Sequence, residues 1–417
     1  MRVCFLVPNL SPSGGIHLVQ EYARRLNRDH GAEAVVVPAA PGPAFDDARA
    51  SAWDVAVAAW WTTVPHLHEI RAQRRGVLGL GFDPLHYHAS EPADRLAATA
   101  AFAAPYDVIA VTEWVCEMVR AVRPDARCTV VPPGIDKAVF GDPAPPRSGD
   151  GPLRVLVEGH PSLWFKGAAQ AHEAVAGMRR PAEVIVPGER IGGGFHPEGM
   201  AALYRESDVV LKLGRFEGIG LAPLEAMHLG VPCVVTPYGG YVEYVRHGEN
   251  ALVVGFDDIP GTTRALDRLD ADRALLARLG EGALRTVADW PDPAASTALL
   301  HDALLTLSPG DAAPALLEAV IRQTTPARVE HERLHGLVAK TEQALAHELA
   351  RVDELERSRA ELSGQLEDVW AALDTRSEEL RHCQARNHEL GTRLEEATSS
   401  RAYRAAVALR SLLPGRR

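Results

Sequence analysis

Glu217 and Glu225 stand eight positions apart in the stretch EGIGLAPLEAMHLGVP, which runs from Glu217 to Pro232. The first carboxylate lies in a glycine-rich loop. The second lies about one turn into the apolar helix that the pattern predicts next, so both can face whatever binds at that helix's N-terminus. Backbone N–H groups at Gly218, Gly220 and Leu221 are donors without helical partners at the positive end of a helix dipole, which favours phosphate oxygens. Carboxylates there would grip hydroxyls, so a phosphorylated sugar suits the set. A plainer reading makes Glu217 the start of a turn and Glu225 a solvated helix residue. Against it, the Gly230-Val231-Pro232 stop and the Gly239-Gly240 turn fall in register with the two acids.

This segment resembles the E-x7-E segment of the retaining glycosyltransferases of family 4, which have the GT-B fold. The resemblance implies that Glu225 holds the ribose of a sugar nucleotide and that Glu217 lies beside the donor sugar and its diphosphate. Further segments are similar to the same family. Ser13-Gly14-Gly15-Ile16-His17 follows the first predicted strand and opens a helix, where the backbone at Gly15 can approach a phosphate or an acceptor group. Val131-Pro132-Pro133-Gly134-Ile135-Asp136, followed by Phe140, resembles the family's hinge, with Pro133 where asparagine is usual. Glu158-Gly159-His160 and Lys166-Gly167 fall where the family places an arginine and a lysine that neutralise the leaving diphosphate. Lys166 is retained and His160 replaces the arginine; near neutrality a histidine is only partly protonated.

Tyr204 to Leu213 resembles the strand that leads into the E-x7-E loop. The ending LKLGRFEG, the start PNLSPSGGIH and the residues around Trp60-Trp61 are similar to a subgroup that includes bacterial surface-polysaccharide rhamnosyltransferases. Family relatives touch the donor sugar with a first-domain histidine. The corresponding region here is GFDPLHYHAS, which offers Asp83, His86 and His88 as sugar contacts, with surface or turn roles as their alternatives. The resemblance covers residues 1 to about 308.

Cleaving a sugar–diphosphate bond builds positive charge on the anomeric carbon and negative charge on the departing phosphate, so the catalytic need is electrostatic. Lys166, the amides of Gly218 to Leu221 and His160 meet it without metal, and neither metal nor cofactor is expected beyond the nucleotide sugar as co-substrate. The D-x-D string Asp270-Ala271-Asp272 precedes a helical run and reads as a helix start rather than a metal ligand pair. The resemblance implies retention of anomeric configuration, with front-face attack assisted by the leaving phosphate.

Short Val- and Ala-rich runs alternating with helical patterns must position these groups. Strands are predicted at 2–7, 33–38, 54–59, 76–81, 107–111 and 128–131, and again near 153–158, 182–186, 208–213, 232–236 and 250–254. The expected fold class is α/β: two doubly wound Rossmann-like domains facing a cleft, with a long C-terminal helical coiled coil. The expected organisation is an N-terminal acceptor domain at 1–140, a linker at 141–152 and a donor domain at 153–308. A second linker at 309–330, a coiled coil at 331–398 and a basic tail at 399–417 follow. A helix at 290–308 is expected to cross back onto the first domain, as in the GT-B family.

Stepping by four and three from Leu334 to Ala397 gives nineteen core positions, of which fourteen are Leu, Val, Cys or Ala. Asn387 falls at an a position, where a buried amide favours two strands, while Arg359 and Arg376 weaken the seam. A homodimer through this coil is expected. Arg401, Arg404, Arg410, Arg416 and Arg417 interleave with Tyr403, Val407, Leu409, Leu412 and Leu413 in an acid-free tail that could touch an anionic membrane, a frayed end being the alternative.

A net charge of −11 argues against nucleic acid as partner. Five scattered cysteines without C-x-x-C spacing indicate neither disulfide framework nor zinc site and suit a reducing cytoplasm. The N-terminus reads as a strand rather than a signal peptide, and no apolar run reaches membrane-spanning length. A cytoplasmic protein, peripheral at most on the inner membrane face, is expected. The leading function is sugar transfer from a nucleotide sugar to a glycan or lipid-linked glycan acceptor in cell-surface polysaccharide biosynthesis. The competing reading is a catalytically weak, transferase-like scaffold that recruits partners through its coil. An epimerase or phosphorylase of the same fold would need other active-site residues.

Overall fold

The structure, a computed structural model, describes residues 1–143, 151–160, 162–191, 196–310 and 315–399, together with 404, 405, 407 and 408. Residues 1–331 form one compact unit and 332–417 another. Most of the residues expected as a basic tail, and the middle of the expected linker at 141–152, lie outside the described residues.

The first unit carries two parallel sheets. In the first, β1 (Arg2–Val7), β2 (Glu33–Pro38), β3 (Ala52–Ala59), β4 (Arg71–Gly79), β5 (Asp107–Ala110) and β6 (Cys128–Val130) lie in the order β2-β1-β3-β4-β5-β6. In the second, β7 (Arg154–Val157), β8 (Glu183–Ile185), β9 (Val209–Lys212), β10 (Cys233–Val235) and β11 (Ala251–Val253) lie in the order β11-β10-β9-β7-β8. Each expected strand is present within a few residues. Continuous apolar runs such as Val-Cys-Phe-Leu-Val in β1 are buried on both faces because helices cover both sides of a parallel sheet. Register is in step throughout, for example Val3 opposite Ala34 and Val55, and Val155 opposite Val209.

Both strand orders reverse once, between β1 and β3 in the first sheet and between β7 and β9 in the second. At such a switch point the loops leaving adjacent strands diverge and open a crevice at the strands' C-terminal ends. Gly14 and Gly15 leave β1, Trp60 leaves β3, Glu158 leaves β7, and the loop to Glu217 leaves β9.

Two connections join the lobes and lie side by side. Ile135 N–H donates to Pro291 O at 3.0 Å, the Trp290 indole N–H donates to Pro133 O at 2.9 Å, and Ser296 Oγ donates to Pro132 O at 2.6 Å. Gly134 packs so tightly on Asp292 and Pro293 that no side chain fits there. The helix Pro293–Thr306 then returns to the first lobe, burying Leu300, Ala303 and Leu304 with β1, β3 and the helix Gly14–His30. The helix expected to cross back is this one.

The segment expected as a linker at 309–330 is instead helical from Ala315, within a single helix Ala315–Ser399 that contains Pro326. Proline removes one helical hydrogen bond, and the helix continues through it. Leu317, Val320, Ile321 and Thr324 share one face at helical spacing, and Leu317, Val320 and Ile321 pack against the first-lobe core. Arg328 extends that contact with an ion pair to Asp94 at 2.7 Å and a position 4.8 Å above the Trp61 ring. From residue 332 on, Leu345, Val352, Leu355, Leu362, Leu366, Val369, Leu373, Leu380, Leu390 and Leu394 are exposed along the helix. Among the described residues no helix is long and apolar enough to cross a membrane.

Candidate functional site

The lobes meet where the loops after β4 and β5 face the loops after β9 and β10, and glycines permit the close packing. A Cβ on Gly218 would overlap the carbonyl of Leu80, one on Gly240 would overlap the carbonyl of Gly218, and one on Gly239 would overlap the Trp114 ring. Thr112 Oγ1, at the cap of the helix Glu113–Val122, donates to Gly218 O at 2.9 Å. Glu243 accepts from Glu113 N at 2.9 Å and so ties the same helix end to the second lobe. Gly220 adopts φ +76°, a left-handed conformation that glycine takes without steric cost, and sets the start of the helix Leu221–His228.

Glu217 is the centre of an ionic cluster. Lys166 Nζ lies 2.5 Å from Glu217 Oε1 and Lys212 Nζ lies 2.8 Å from the same oxygen, while Lys212 also donates to Glu158. Lys166 ends the short turn Trp164–Lys166, Lys212 ends β9, and Glu158 follows β7, so the switch point of the second sheet converges these groups. Burial alone would raise the Glu217 pKa, but Lys166 and then Lys212 hold it well below the usual carboxylate range. Lys212 is 1% exposed; burial opposes its charge, and Glu158 and Glu217 outweigh burial to raise its pKa. A buried lysine that stays ionised between two carboxylates is a fixed positive charge beneath the site.

Glu225 sits differently from its partner in the motif. It is 9% exposed and accepts from the Tyr204 hydroxyl at 3.0 Å. Burial pushes its pKa up to about 7; the Tyr204 hydrogen bond opposes this and the nearby Glu158 adds to it. Its carboxyl therefore sits at the boundary between neutral acid and anion at neutral pH.

The remaining expected residues divide. Gly15 lies against Trp60, whose ring is 2.8 Å from where a Cβ would stand, and Trp60 itself holds φ +81°, a strained conformation for a bulky residue. His86 lies between Asp83, at 3.8 Å, and the Glu217–Lys166 pair, and its ring stacks on Phe165 with centroids 4.8 Å apart. Burial lowers the His86 pKa while Asp83 and Glu217 draw it back up. Asp83 is buried and accepts from Trp61 N at 2.9 Å through one carboxylate oxygen while the other faces His86. His88 is exposed and bonded to Ser90 at 3.0 Å, and His160 is exposed and bonded to Ser162 at 2.6 Å. Asp272 caps the helix Arg273–Ala288 by accepting from Leu275 N at 2.8 Å, and Asp270 pairs with Arg273 at 2.9 Å.

Sequence reasoning gave no role to Lys212, Glu158 or Tyr204. Lys212 had a legible signal: a lysine inside the apolar run Val-Val-Leu-Lys-Leu occupies a strand position that must be buried, and a buried charge requires partners.

Residues 191–286 match the family described as glycosyl transferases group 1. The N-acetyl-alpha-D-glucosaminyl L-malate synthase of Bacillus anthracis is 36% identical over 90 residues, which is 22% of this chain and 24% of that protein. The lipopolysaccharide core biosynthesis mannosyltransferase LpcC of Rhizobium leguminosarum is 40% identical over 84 residues, 20% of this chain and 24% of that protein. The chain thus spans about a quarter of the length of these relatives. Among solved structures, sucrose-phosphate synthase from Thermosynechococcus elongatus superposes with a TM-score of 0.60 at 17% identity, covering 72% of this chain and 98% of that one. Anabaena Alr3699/HepE in complex with UDP-glucose superposes with a TM-score of 0.58 at 17% identity, covering 73% of this chain and 100% of that one. The fold is GT-B, with a long helical extension.

Proposed function

We propose that the chain is a retaining glycosyltransferase of family 4 that moves a sugar from a nucleotide-sugar donor to a glycan or lipid-linked glycan acceptor without a metal ion. The convergence of Lys166, Lys212 and Glu217 at the second switch point, against the first lobe, carries the reading. A donor diphosphate entering there competes with Glu217 for Lys166, and the ammonium that pairs with the carboxylate can pair with the leaving phosphate. Lys212 stays buried and keeps Glu217 ionised, so the carboxylate remains an acceptor for sugar hydroxyls. Glu225, on the buried face of the helix Leu221–His228, is the candidate for the ribose. The group 1 match over the donor lobe and the UDP-glucose complex of the Anabaena protein support this assignment.

The similarity to a lipopolysaccharide core mannosyltransferase supports a role in cell-surface polysaccharide biosynthesis. The exposed apolar row along the helix from residue 334 to 394 supports pairing with a second copy. The testing experiment incubates the full chain with a panel of UDP-, GDP- and dTDP-sugars and follows release of the nucleoside diphosphate with and without acceptor glycans, in EDTA. Turnover of at least one donor that persists in EDTA is expected; binding and turnover of none would refute the reading.

A further inference from the structure

Beside the Lys166–Glu217 pair lies a group of aromatic rings that the charge chemistry does not use. Trp164 opens the turn two residues before Lys166 and is 39% exposed, as is its neighbour Leu163 to a similar degree. Its ring is nonetheless fixed. The indole N–H donates to the His86 carbonyl at 3.1 Å, and His88, Phe165 and Phe216 meet the ring at steep angles with centroids 5.3, 6.1 and 6.0 Å away. His86 stacks on Phe165 in turn, and the Lys166 ammonium lies 5.7 Å from the Phe165 ring centre. One surface is therefore built from a first-lobe loop, carrying His86 and His88, and a second-lobe turn, and it borders the ionic cluster.

An indole held rigid by a hydrogen bond and three ring contacts, yet left open to solvent, forgoes part of the gain from burial. The same rigidity lowers the entropic cost of receiving a ligand. A pyranose ring carries a face of C–H groups that packs on an aromatic face while its hydroxyls project sideways to polar neighbours. The first-lobe share of the platform places it toward the acceptor side of the crevice, and the adjacent Lys166 places it next to the phosphate. We propose that Trp164, supported by Phe165 and Phe216, is a stacking platform for a pyranose ring of the acceptor. The word acceptor rests on the transferase reading; saccharide binding by the platform does not.

Saturation-transfer NMR on the full chain with methyl α-D-mannopyranoside, methyl α-D-glucopyranoside and methyl α-L-rhamnopyranoside tests this, with UDP and UDP-glucose measured separately. At least one glycoside is expected to receive saturation on its ring C–H protons. Trp164→Ala is expected to weaken it about tenfold, and Trp164→Phe to retain affinity within about threefold, since one aromatic contact contributes about 0.5–1.5 kcal/mol. UDP affinity is expected to be unchanged in both variants. Absence of glycoside binding, equal binding by Trp164→Ala, or an equal loss for UDP would overturn the proposal. Displacement of the glycoside by UDP-glucose would assign the platform to the donor's sugar and overturn the acceptor placement. Glycoside binding that depends on Trp164 in a chain that binds no nucleotide sugar would uphold the platform and sink the transferase reading alone.

Discussion

Lys166 Nζ stands 2.5 Å from Glu217 Oε1, the shorter of the two lysine contacts to that oxygen. The pair is only partly shielded from solvent, whereas Lys212 beneath it is enclosed, so the two lysines have different freedom to change partner. On the proposed function, Lys166 answers the charge that develops on the departing phosphate. Lys166→Ala is expected to lower kcat about a hundredfold or more with a small change in donor affinity. Glu225→Ala is expected to raise the donor Kd instead. Steady-state kinetics together with donor titration separate the two; near wild-type values for both variants would remove the site.

Lys212 answers a structural need as well. Replacing it with methionine leaves Glu158 without its cation and Glu217 with Lys166 alone. A destabilisation of about 3–5 kcal/mol is expected, as for other broken buried pairs. Urea unfolding measures it, and a loss below about 1 kcal/mol, typical of surface pairs, would mean that the cluster is solvated.

The strands, their order of appearance and the motif were legible in the sequence because each depends on local pattern: Val-rich runs for β1 and β3, glycine spacing for the loop after β9. What stayed hidden depends on distant residues. Glu217 finds Lys166 only because the second sheet reverses its order and sets β7 beside β9, and that reversal leaves no local trace. The family resemblance, and not spacing, implies a ribose ligand in Glu225, and its burial against Tyr204 follows from how the helix Leu221–His228 settles on the helix Pro197–Glu206. At Pro326 a local breaker signal was outweighed by the apolar face that Leu317, Val320 and Ile321 present to the first lobe.

Glu225 gives the fold a pH dependence with a defined sign. Its pKa rises from the unfolded value of 4.5 to about 7 on folding, so the native state holds the proton more tightly than the unfolded chain. The stabilising contribution is fully present below pH 4.5 and is lost as pH rises through about 7. The shift corresponds to about 3 kcal/mol. Glu225→Gln, which cannot ionise, is expected to lose less stability than wild type between about pH 4 and 8, an interval that flanks the two pKa values. Parallel unfolding curves for the two proteins across that interval would contradict the burial-driven shift. Glu217 contributes with the opposite sign: its stabilisation is present above its unfolded pKa of 4.5 and is lost in stronger acid.

Gly218→Ala tests whether the contact between lobes is as close as the backbone shows. The added methyl would overlap Leu80 O, and backbone has no rotamer with which to yield. Separation of the lobes at this point is expected, with loss of the Thr112–Gly218 bond, a destabilisation of about 1–3 kcal/mol from overpacking, and weaker donor binding. Thermal unfolding and donor titration read both effects. Gly14→Ala, at a position with open space around it, is the control and is expected to change neither.

The helix Ala315–Ser399 has a buried beginning and an exposed remainder, and two truncations divide them. Ending the chain after His331 keeps Leu317 in the first-lobe core and the Arg328–Asp94 pair at 2.7 Å, so the two lobes are expected to retain their stability. Ending it after residue 314 removes both, exposes the first-lobe surface under Leu317, Val320 and Ile321, and is expected to cost about 2–5 kcal/mol, the scale of losing one large buried side chain with its neighbours. Both truncations remove the heptad row, in which Leu362, Leu366, Val369 and Leu373 are exposed on a helix with no other element to cover them among the described residues. Sedimentation velocity is therefore expected to give an oligomer for the full chain and a monomer for the chain ending at His331. A chain ending at His331 that still sediments as an oligomer would show that assembly comes from the lobes and not from the helix.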